Sequence, residues 1–369
     1  MSETSVNGQT IRSTEFWEDA SCCVAGDANG LAYIEDGGSY VLFQTSGSTG
    51  QAKWIALRKE ALLLSARAVK TWLDVDAGSV WGLALPIGHV GGFGVVARSY
   101  VAGCGFSEYE GKWDAVRFAE WMESKAVTHV SLVPTQVHDL LAAGLKGGPS
   151  LRAVVVGGGR LANEVGQVAR DAGWPVLASF GMTEACSQVA TQRMDSLDRL
   201  YADCPLELLP IWDLEQTEEG LLRLRGETLF AGTVEGGKYH VREGEWFTTS
   251  DRVAVSGRAI VPLGRADTMV KVMGELVDVE AVERHFMEVA AGRVPEGGFA
   301  VVALPDGRRE HELVGVFEGE EVAICVEDYN RQVPGVERIE RWCVVAVFPR
   351  AELGKIRKGE LREEVIDRS

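Results

Sequence analysis

Three segments carry residues whose types and spacing suit chemistry on phosphate. The first is Phe43-Gln44-Thr45-Ser46-Gly47-Ser48-Thr49-Gly50-Gln51-Ala52-Lys53, in which a hydrophobic run from Tyr40 gives way to hydroxyls and glycines and closes on a lysine. Glycine lets the backbone approach a phosphate, while successive N–H groups, Ser/Thr hydroxyls and an ammonium supply the donors. Such a loop is built to hold a polyphosphate. It is not a Walker A loop, which requires Gly-Lys-Ser/Thr, because Lys53 follows Ala52 and precedes Trp54. The other two segments are Phe180-Gly181-Met182-Thr183-Glu184 and Gly354-Lys355-Ile356-Arg357. Each has an ordinary reading on its own: a plain connection, a strand-end turn, and a basic surface patch shared with Arg350 and Lys358. Their occurrence together, in this order, shifts the weight to chemistry.

The elements that must position these residues follow from periodicity. Apolar runs predict strands over 40–44, 81–86, 127–134, 151–156 and 175–180, separated by amphipathic stretches at Lys59 to Leu73, Trp113 to Ser124 and Leu161 to Ala172. That alternation is the order of a mostly parallel α/β sheet, where ligands sit beyond the carboxyl ends of strands. The Thr45–Lys53 loop and Gly157-Gly158-Gly159 both follow strands in this way. After Met182 the stretches Leu221 to Leu229, Lys238 to Val241 and Arg252 to Val261 read as a small antiparallel β unit. Beyond Gly264-Arg265-Ala266-Asp267 the pattern changes again. A helix near Val279 to Val289, strands near 299–304 and 312–317, a helix near Val326 to Gln332 and a strand near 342–348 suggest a compact α+β domain with Lys355 on a late loop. The expected division is 1–264 and 265–369, without internal repeats or a low-complexity linker.

Bulk properties narrow the class. A chain of 369 residues accommodates two or three domains, and 46% hydrophobic with 25% charged residues is ordinary for a globular enzyme. The formal net charge of -17 argues against nucleic acid or an anionic membrane as principal partner, so a site for anionic ligands must gather its Lys and Arg locally. Cysteines 22, 23, 104, 186, 204, 325 and 343 show no metal spacing, and an odd, scattered set suits a reducing cytosol. The first residues include Glu3, Glu15, Glu18 and Asp19 and form neither a signal peptide nor a membrane span. A cytoplasmic location is expected.

From Tyr40 onward the motifs resemble those of the adenylate-forming superfamily of acyl-CoA synthetases, peptide-synthetase adenylation domains and luciferases. Residues 45–53 match its phosphate loop except that Ala52 replaces a stiffening proline. The resemblance implies a large N-terminal domain of mostly parallel sheets with a small β unit, truncated here because the loop begins at Thr45, and a small mobile α+β C-terminal domain. A homo-oligomer would cover surface left by the shortened first subdomain. ATP, Mg²⁺ and coenzyme A are the implied cofactors, and a small carboxylate the substrate. Thr45, Ser46, Gly47, Ser48, Thr49, Gly50 and Lys53 would hold the β- and γ-phosphates. Glu184 would ligate Mg²⁺, with Thr183 on the α-phosphate. Phe180 and Gly181 would lie against adenine, and Gly157 and Gly158 would line its pocket. In Trp246-Phe247-Thr248-Thr249-Ser250-Asp251, Asp251 corresponds to the carboxylate that binds the ribose hydroxyls. Arg265 would reach the ribose-phosphate region, Asp267 would be the pivot for C-terminal rotation, and Gly274 would border a pantetheine tunnel because it has no side chain. Lys355 matches the catalytic lysine of adenylation. Glu280 and Glu283 are expected on a solvated helix face.

Residues 85–98 and Ser131-Leu132-Val133-Pro134-Thr135-Gln136 look like the corresponding segments of superfamily members that activate o-succinylbenzoate. That resemblance places Arg98 and Ser131 at the distal aromatic carboxylate and His89 near the acyl pocket. A dicarboxylate needs a buried cation at its far end. Gly91 stands where serine is frequent in those relatives, and a surface-helix arginine is the competing reading of Arg98. Other acyl- or aryl-CoA ligases, carrier-loading adenylation enzymes and a non-catalytic nucleotide binder are the rival functions. Retention of Lys53, Glu184, Asp251, Arg265 and Lys355 together speaks against the last.

Overall fold

The computed structural model describes residues 7–25, 38–46, 52–320, 322–351 and 354–368. The chain divides into two compact units. The first comprises residues 1–217, 222–249 and 254–261, and the second comprises 218–221, 250–253 and 262–369. The passage to the second unit thus begins a few residues before Gly264, with two short excursions upstream.

The first unit contains a six-stranded sheet in the order Gly105–Glu108, Val80–Leu83, His129–Leu132, Ala153–Val156, Val176–Met182 and Ser187–Thr191. All neighbours are parallel except the last pair. The strand predicted over 127–134 stops at Leu132, since Pro134 occupies the first turn of the helix Pro134–Ala142, where its missing N–H is harmless. The strand predicted over 81–86 ends at Leu83. After a turn the chain enters the helix Val90–Ala102, which is buried from Gly92 through Ser99 and closed by Gly103 in the left-handed conformation at φ 59°.

Tyr40–Ser46 does not join this parallel sheet, contrary to expectation. It pairs antiparallel with Ala52–Arg58, Thr45 opposite Lys53 and Ser46 opposite Ala52, within a five-stranded sheet. The reason is geometric: a parallel neighbour requires a crossover of a dozen residues or so, and the intervening 47–51 segment is too short. Cys23–Val24, parallel to Val41–Leu42, and Gly232–Glu235 with Lys238–Val241 complete that sheet, so Lys238–Val241 belongs here and not with the small β unit. Tyr40, Leu42, Ala56, Ala231 and Val234 pack together on one of its faces. The remaining strands, Leu206–Glu207, Ala259–Arg265, Trp246–Ser256, Leu221–Arg225 and Asp213–Gln216, form a further sheet in that order.

Residues 7–25 lie on the first unit. Phe16 and Trp17 pack against Phe93, Trp17 stacks on Tyr100 at 5.6 Å, and Arg12 donates to the Cys104 carbonyl at 3.0 Å. Lys59, 2% exposed, donates to the carbonyls of Phe16 and Asp19, both at 2.8 Å.

In the second unit the sheet Phe299–Asp306, Glu310–Glu318 and Arg341–Val345 is covered on both faces. Phe299 and Val301 face the helices Val279–Ala290 and Ala323–Asn330 through Phe286 and Tyr329. Ala300, Val302, Val314 and Val316 face Leu361 and Val365 of the helix Lys358–Asp367. Alternation along the strands therefore produces two apolar layers. Glu283 is not on a solvated face as expected. Its Oε2 accepts from the Val301 amide at 2.9 Å and lies 2.9 Å from Lys358 Nζ, so it joins helix to sheet.

Candidate functional site

The hairpin Tyr40–Ser46/Ala52–Arg58 presents Thr45 and Lys53 at the ends of its ladder. Gly47, Ser48, Thr49 and Gly50, and the Ser46 side chain, lie outside the described residues. The Lys53 ammonium is 3.1 Å from Glu235 Oε1, a half-exposed pair. Such pairs are weak, so a polyphosphate can displace the carboxylate at little cost. Glu235 was not legible as a partner because its strand joins the sheet from nearly two hundred residues away.

The strand Val176–Met182 ends in a constriction. Its register with Ser187–Thr191 shifts between Phe180 and Gly181, and a Cβ on Gly181 would lie 1.8 Å from the Ser187 carbonyl oxygen. Only glycine fits. Cys186 and Ser187 carry positive φ (53° and 89°), so Thr183–Ala185 forms a tight helical turn held between glycine and a left-handed corner. This corner sets Thr183 and Glu184 directly after the half-buried Phe180. The Glu184 carbonyl accepts from the Phe230 amide at 2.8 Å, which anchors the turn. Gly158 turns the chain after Ala153–Val156 with φ 76°.

Among the described residues no group of three or more His, Cys, Asp or Glu side chains is gathered for a metal ion. Mg²⁺ bound with nucleotides is usually held by one or two carboxylates and the phosphates themselves, and Glu184 is the carboxylate that the motif would offer for that role.

Arg98 is a buried cation, 2% exposed, and not a surface arginine. Its Nη1 donates to Ser131 Oγ at 3.4 Å, and its guanidinium carbon lies 5.5 Å from the centroid of the Trp81 ring. No carboxylate pairs with it among the described residues, and burial pushes its pKa down to about 9, leaving it protonated at neutral pH. His89 stands at the N-terminus of the same helix, its carbonyl accepting from the Phe93 amide.

In the second unit Arg265 makes two bonds to Asp267, at 2.8 and 2.6 Å, and its Nη1 lies 3.7 Å from Asp251. The hydrogen bonds from Arg265 hold the Asp267 carboxyl below the usual range, and those bonds raise Arg265 in turn. Thus Asp251, Arg265 and Asp267 come together in one cluster. Gly274 has a backbone reason to be glycine beside the room for a thiol arm expected of it. It shares the two-residue turn between Met269–Val272 and Glu275–Asp278 with Met273, both at positive φ, and a Cβ there would meet nothing within 4 Å. Backbone conformation, not crowding, calls for glycine.

Lys355 is exposed on a loop whose base is fixed by Arg350. That guanidinium donates to the carbonyls of Gly354 (3.2 Å) and Gly297 (2.9 Å) and to Glu318 (2.5 Å). Arg357 pairs with Glu360 and Lys358 with Glu283. Of these four basic residues, Lys355 alone makes no ion pair among the described residues. In place of the basic patch that was the competing reading, the loop carries one presented ammonium among three paired neighbours.

Fold and motifs define an AMP-binding enzyme: residues 32–232 match that family, and the chain belongs to it. The fold is that of the adenylate-forming enzymes. Similar curated proteins include the 2-succinylbenzoate–CoA ligase of Enterococcus faecalis, 27% identical over 343 residues, covering 88% of this chain and 69% of that protein. The Salmonella typhimurium protein of the same name is 31% identical over 278 residues, covering 74% and 57%. This chain therefore spans between 57% and 69% of the length of these relatives. Among solved structures, E. coli MenE with bound OSB-AMS superposes with a TM-score of 0.73 at 25% identity, over 93% of this chain and 72% of that one. The Bacillus subtilis o-succinylbenzoate CoA synthetase complex with OSB-AMP gives 0.75 at 21% identity, over 87% and 68%, a likeness of fold. No helix among the described residues is long and apolar enough to cross a membrane.

Proposed function

We propose that this chain is an ATP-dependent o-succinylbenzoate–CoA ligase serving menaquinone biosynthesis. The observation that carries the substrate is Arg98, a buried guanidinium beside Ser131 with no carboxylate of its own. An unpaired buried charge is costly unless a ligand supplies the counter-ion. o-Succinylbenzoate offers one carboxylate for activation and a second, on the ring, for Arg98. The names of the relatives support the same substrate.

In the first half-reaction the succinyl carboxylate attacks the α-phosphorus of ATP, giving the acyl-adenylate and pyrophosphate. In the second the CoA thiol attacks the acyl carbon and AMP leaves. Lys53, Thr45 and Ser46, with Gly47 to Gly50, hold the β- and γ-phosphates, and Lys53 exchanges Glu235 for phosphate. Thr183 donates to the α-phosphate, and Glu184 would hold Mg²⁺, which would supply neutralisation of phosphate charge. Phe180 and Gly181 flank adenine, lined by Gly157 and Gly158, and Asp251 accepts from the ribose hydroxyls. His89 borders the acyl pocket. Lys355 places its ammonium on the attacking carboxylate and the α-phosphate oxygens. Arg265 orients Asp251 and clamps Asp267, the pivot between half-reactions, and the Gly274 turn offers an open flank to the pantetheine arm. None of the seven cysteines is joined in a disulfide, which supports a cytoplasmic enzyme.

Pyrophosphate release against a panel of carboxylates, with and without CoA, tests the reading. Lys355→Ala should slow adenylate formation by about 10²–10³-fold while sparing thioester formation from supplied acyl-adenylate. Equal loss in both halves removes Lys355 from the adenylation step.

A further inference from the structure

Trp81 and His129 are partners across two parallel strands, and Ser131 follows two residues after His129. Side chains two apart share a face, so the three form one row beneath the helix Val90–Ala102. Arg98 reaches down from that helix to Ser131 and to the Trp81 ring. Gly94 makes room one turn earlier: a Cβ there would stand 3.2 Å from Arg98 Nη2.

The Trp81 ring lies next to His129, with centroids 5.2 Å apart and the planes inclined at 38°. Both residues are fully buried. His129 Nε2 donates to the Leu73 carbonyl at 3.3 Å, and Nδ1 lies 2.8 Å from Thr128 Oγ1. Burial takes its pKa down to about 4, so the ring is neutral at pH 7 and does not compete with Arg98 for the indole. A buried tryptophan ordinarily gives its N–H to a partner, yet Trp81 Nε1 has none among the described residues. The fold uses the face of this indole.

We propose that Trp81 is a positioning residue: its indole face, flanked by His129, fixes the Arg98 guanidinium in the orientation that receives the remote carboxylate of the substrate. This rests on the dicarboxylate reading above. A cation over an indole is attracted by the ring quadrupole, most strongly when water is excluded, and the geometry restricts a side chain that one hydrogen bond holds among the described residues.

The test compares o-succinylbenzoate with 4-oxo-4-phenylbutyrate, the same acid without the ring carboxylate, in wild type, Arg98→Ala, Trp81→Leu and Trp81→Phe. Trp81→Leu should raise KM for o-succinylbenzoate about tenfold, with kcat and both constants for 4-oxo-4-phenylbutyrate within about twofold of wild type. Trp81→Phe, which keeps a ring face, should restore most of the lost KM. Equal effects on the two acids, or a Phe variant no better than Leu, would overturn the positioning role. If Trp81→Leu does not fold, Trp81→Met fills the space without a ring and is read by the same outcomes. If wild type does not discriminate the acids and Arg98→Ala changes neither, the dicarboxylate reading itself falls, a result distinct from failure of the Trp81 role alone.

Discussion

Arg98 and Arg265 are two arginines of this chain under opposite electrostatic regimes. Arg98 is 2% exposed, with one long hydrogen bond and an aromatic face. The Arg265 side chain is 41% exposed and faces two carboxylates, Asp267 and Asp251. Water alone would stabilise the exposed cation, yet that is the one the protein neutralises twice over. The buried cation, which needs a counter-charge most, has none among the described residues. On the proposed reading the difference teaches where binding free energy is held in reserve: Arg98 would gain a carboxylate only with ligand, whereas Arg265 already has its partners.

The sharpest way to break the comparison is Arg98→Ala. Loss of the cation leaves the ring carboxylate of o-succinylbenzoate desolvated and unpaired, and kcat/KM for that acid should fall by about 2–5 kcal/mol. The value for 4-oxo-4-phenylbutyrate should hold. A parallel fall for both would make Arg98 part of the scaffold. Next in size, Asp251→Ala should weaken ATP binding by about 1.5–3 kcal/mol, the range for hydrogen bonds to a charged group, as read by equilibrium titration. Unchanged affinity would leave Asp251 as a partner of Arg265 only.

A stability measurement sharpens the contrast further. Arg98→Met replaces an uncompensated buried charge by an apolar chain, and the denaturant midpoint should correspond to a gain of about 1 kcal/mol even as substrate preference is lost. A destabilised Arg98→Met would show that the guanidinium is already compensated. The smallest effect belongs to the exposed clamp. Asp267→Asn should cost no more than about 1 kcal/mol, because solvent screens the pair. Its pH dependence has a definite sign. The folded pKa of Asp267 is depressed, so its contribution is complete above the ordinary value of about 3.9 and disappears as pH falls through the folded value. A wild-type-minus-Asn difference that grows on acidification would contradict the assignment.

The sequence carried the motifs and most C-terminal elements, because Lys355, Thr183-Glu184 and the 279–289 helix are local signals, but not the hairpin Met269–Val272/Glu275–Asp278 or the helix Lys358–Asp367. It did not carry pairing. Tyr40–Ser46 reads as a buried strand in either sheet, and only the shortness of 47–51 decides for a hairpin. The helix Val90–Ala102 was obscured by Gly91, Gly92 and Gly94 and by apolar residues on all sides, which leave no amphipathic stripe to recognise. Periodicity therefore gave no sign that Arg98 is buried, and only the resemblance placed it at the distal carboxylate against the reading as a surface arginine. Arg350 and Glu283 were likewise beyond reach, since their partners Gly297, Glu318, Val301 and Lys358 are brought to them only by tertiary folding.

The lysine that grips residues 16 and 19 has a consequence for the newborn chain. Phe16 and Trp17 wait for Lys59, then Phe93 and Tyr100, and the Arg12 partner at Cys104 is later still. At synthesis rates of about 5–20 residues per second, these aromatics are unsheltered for about 5–20 s before their docking surface has been made. These residues are therefore made well before the surface that receives them, which is complete once Cys104 has followed, and their early exposure is a window in which a chaperone, or a neighbouring nascent chain, competes for them.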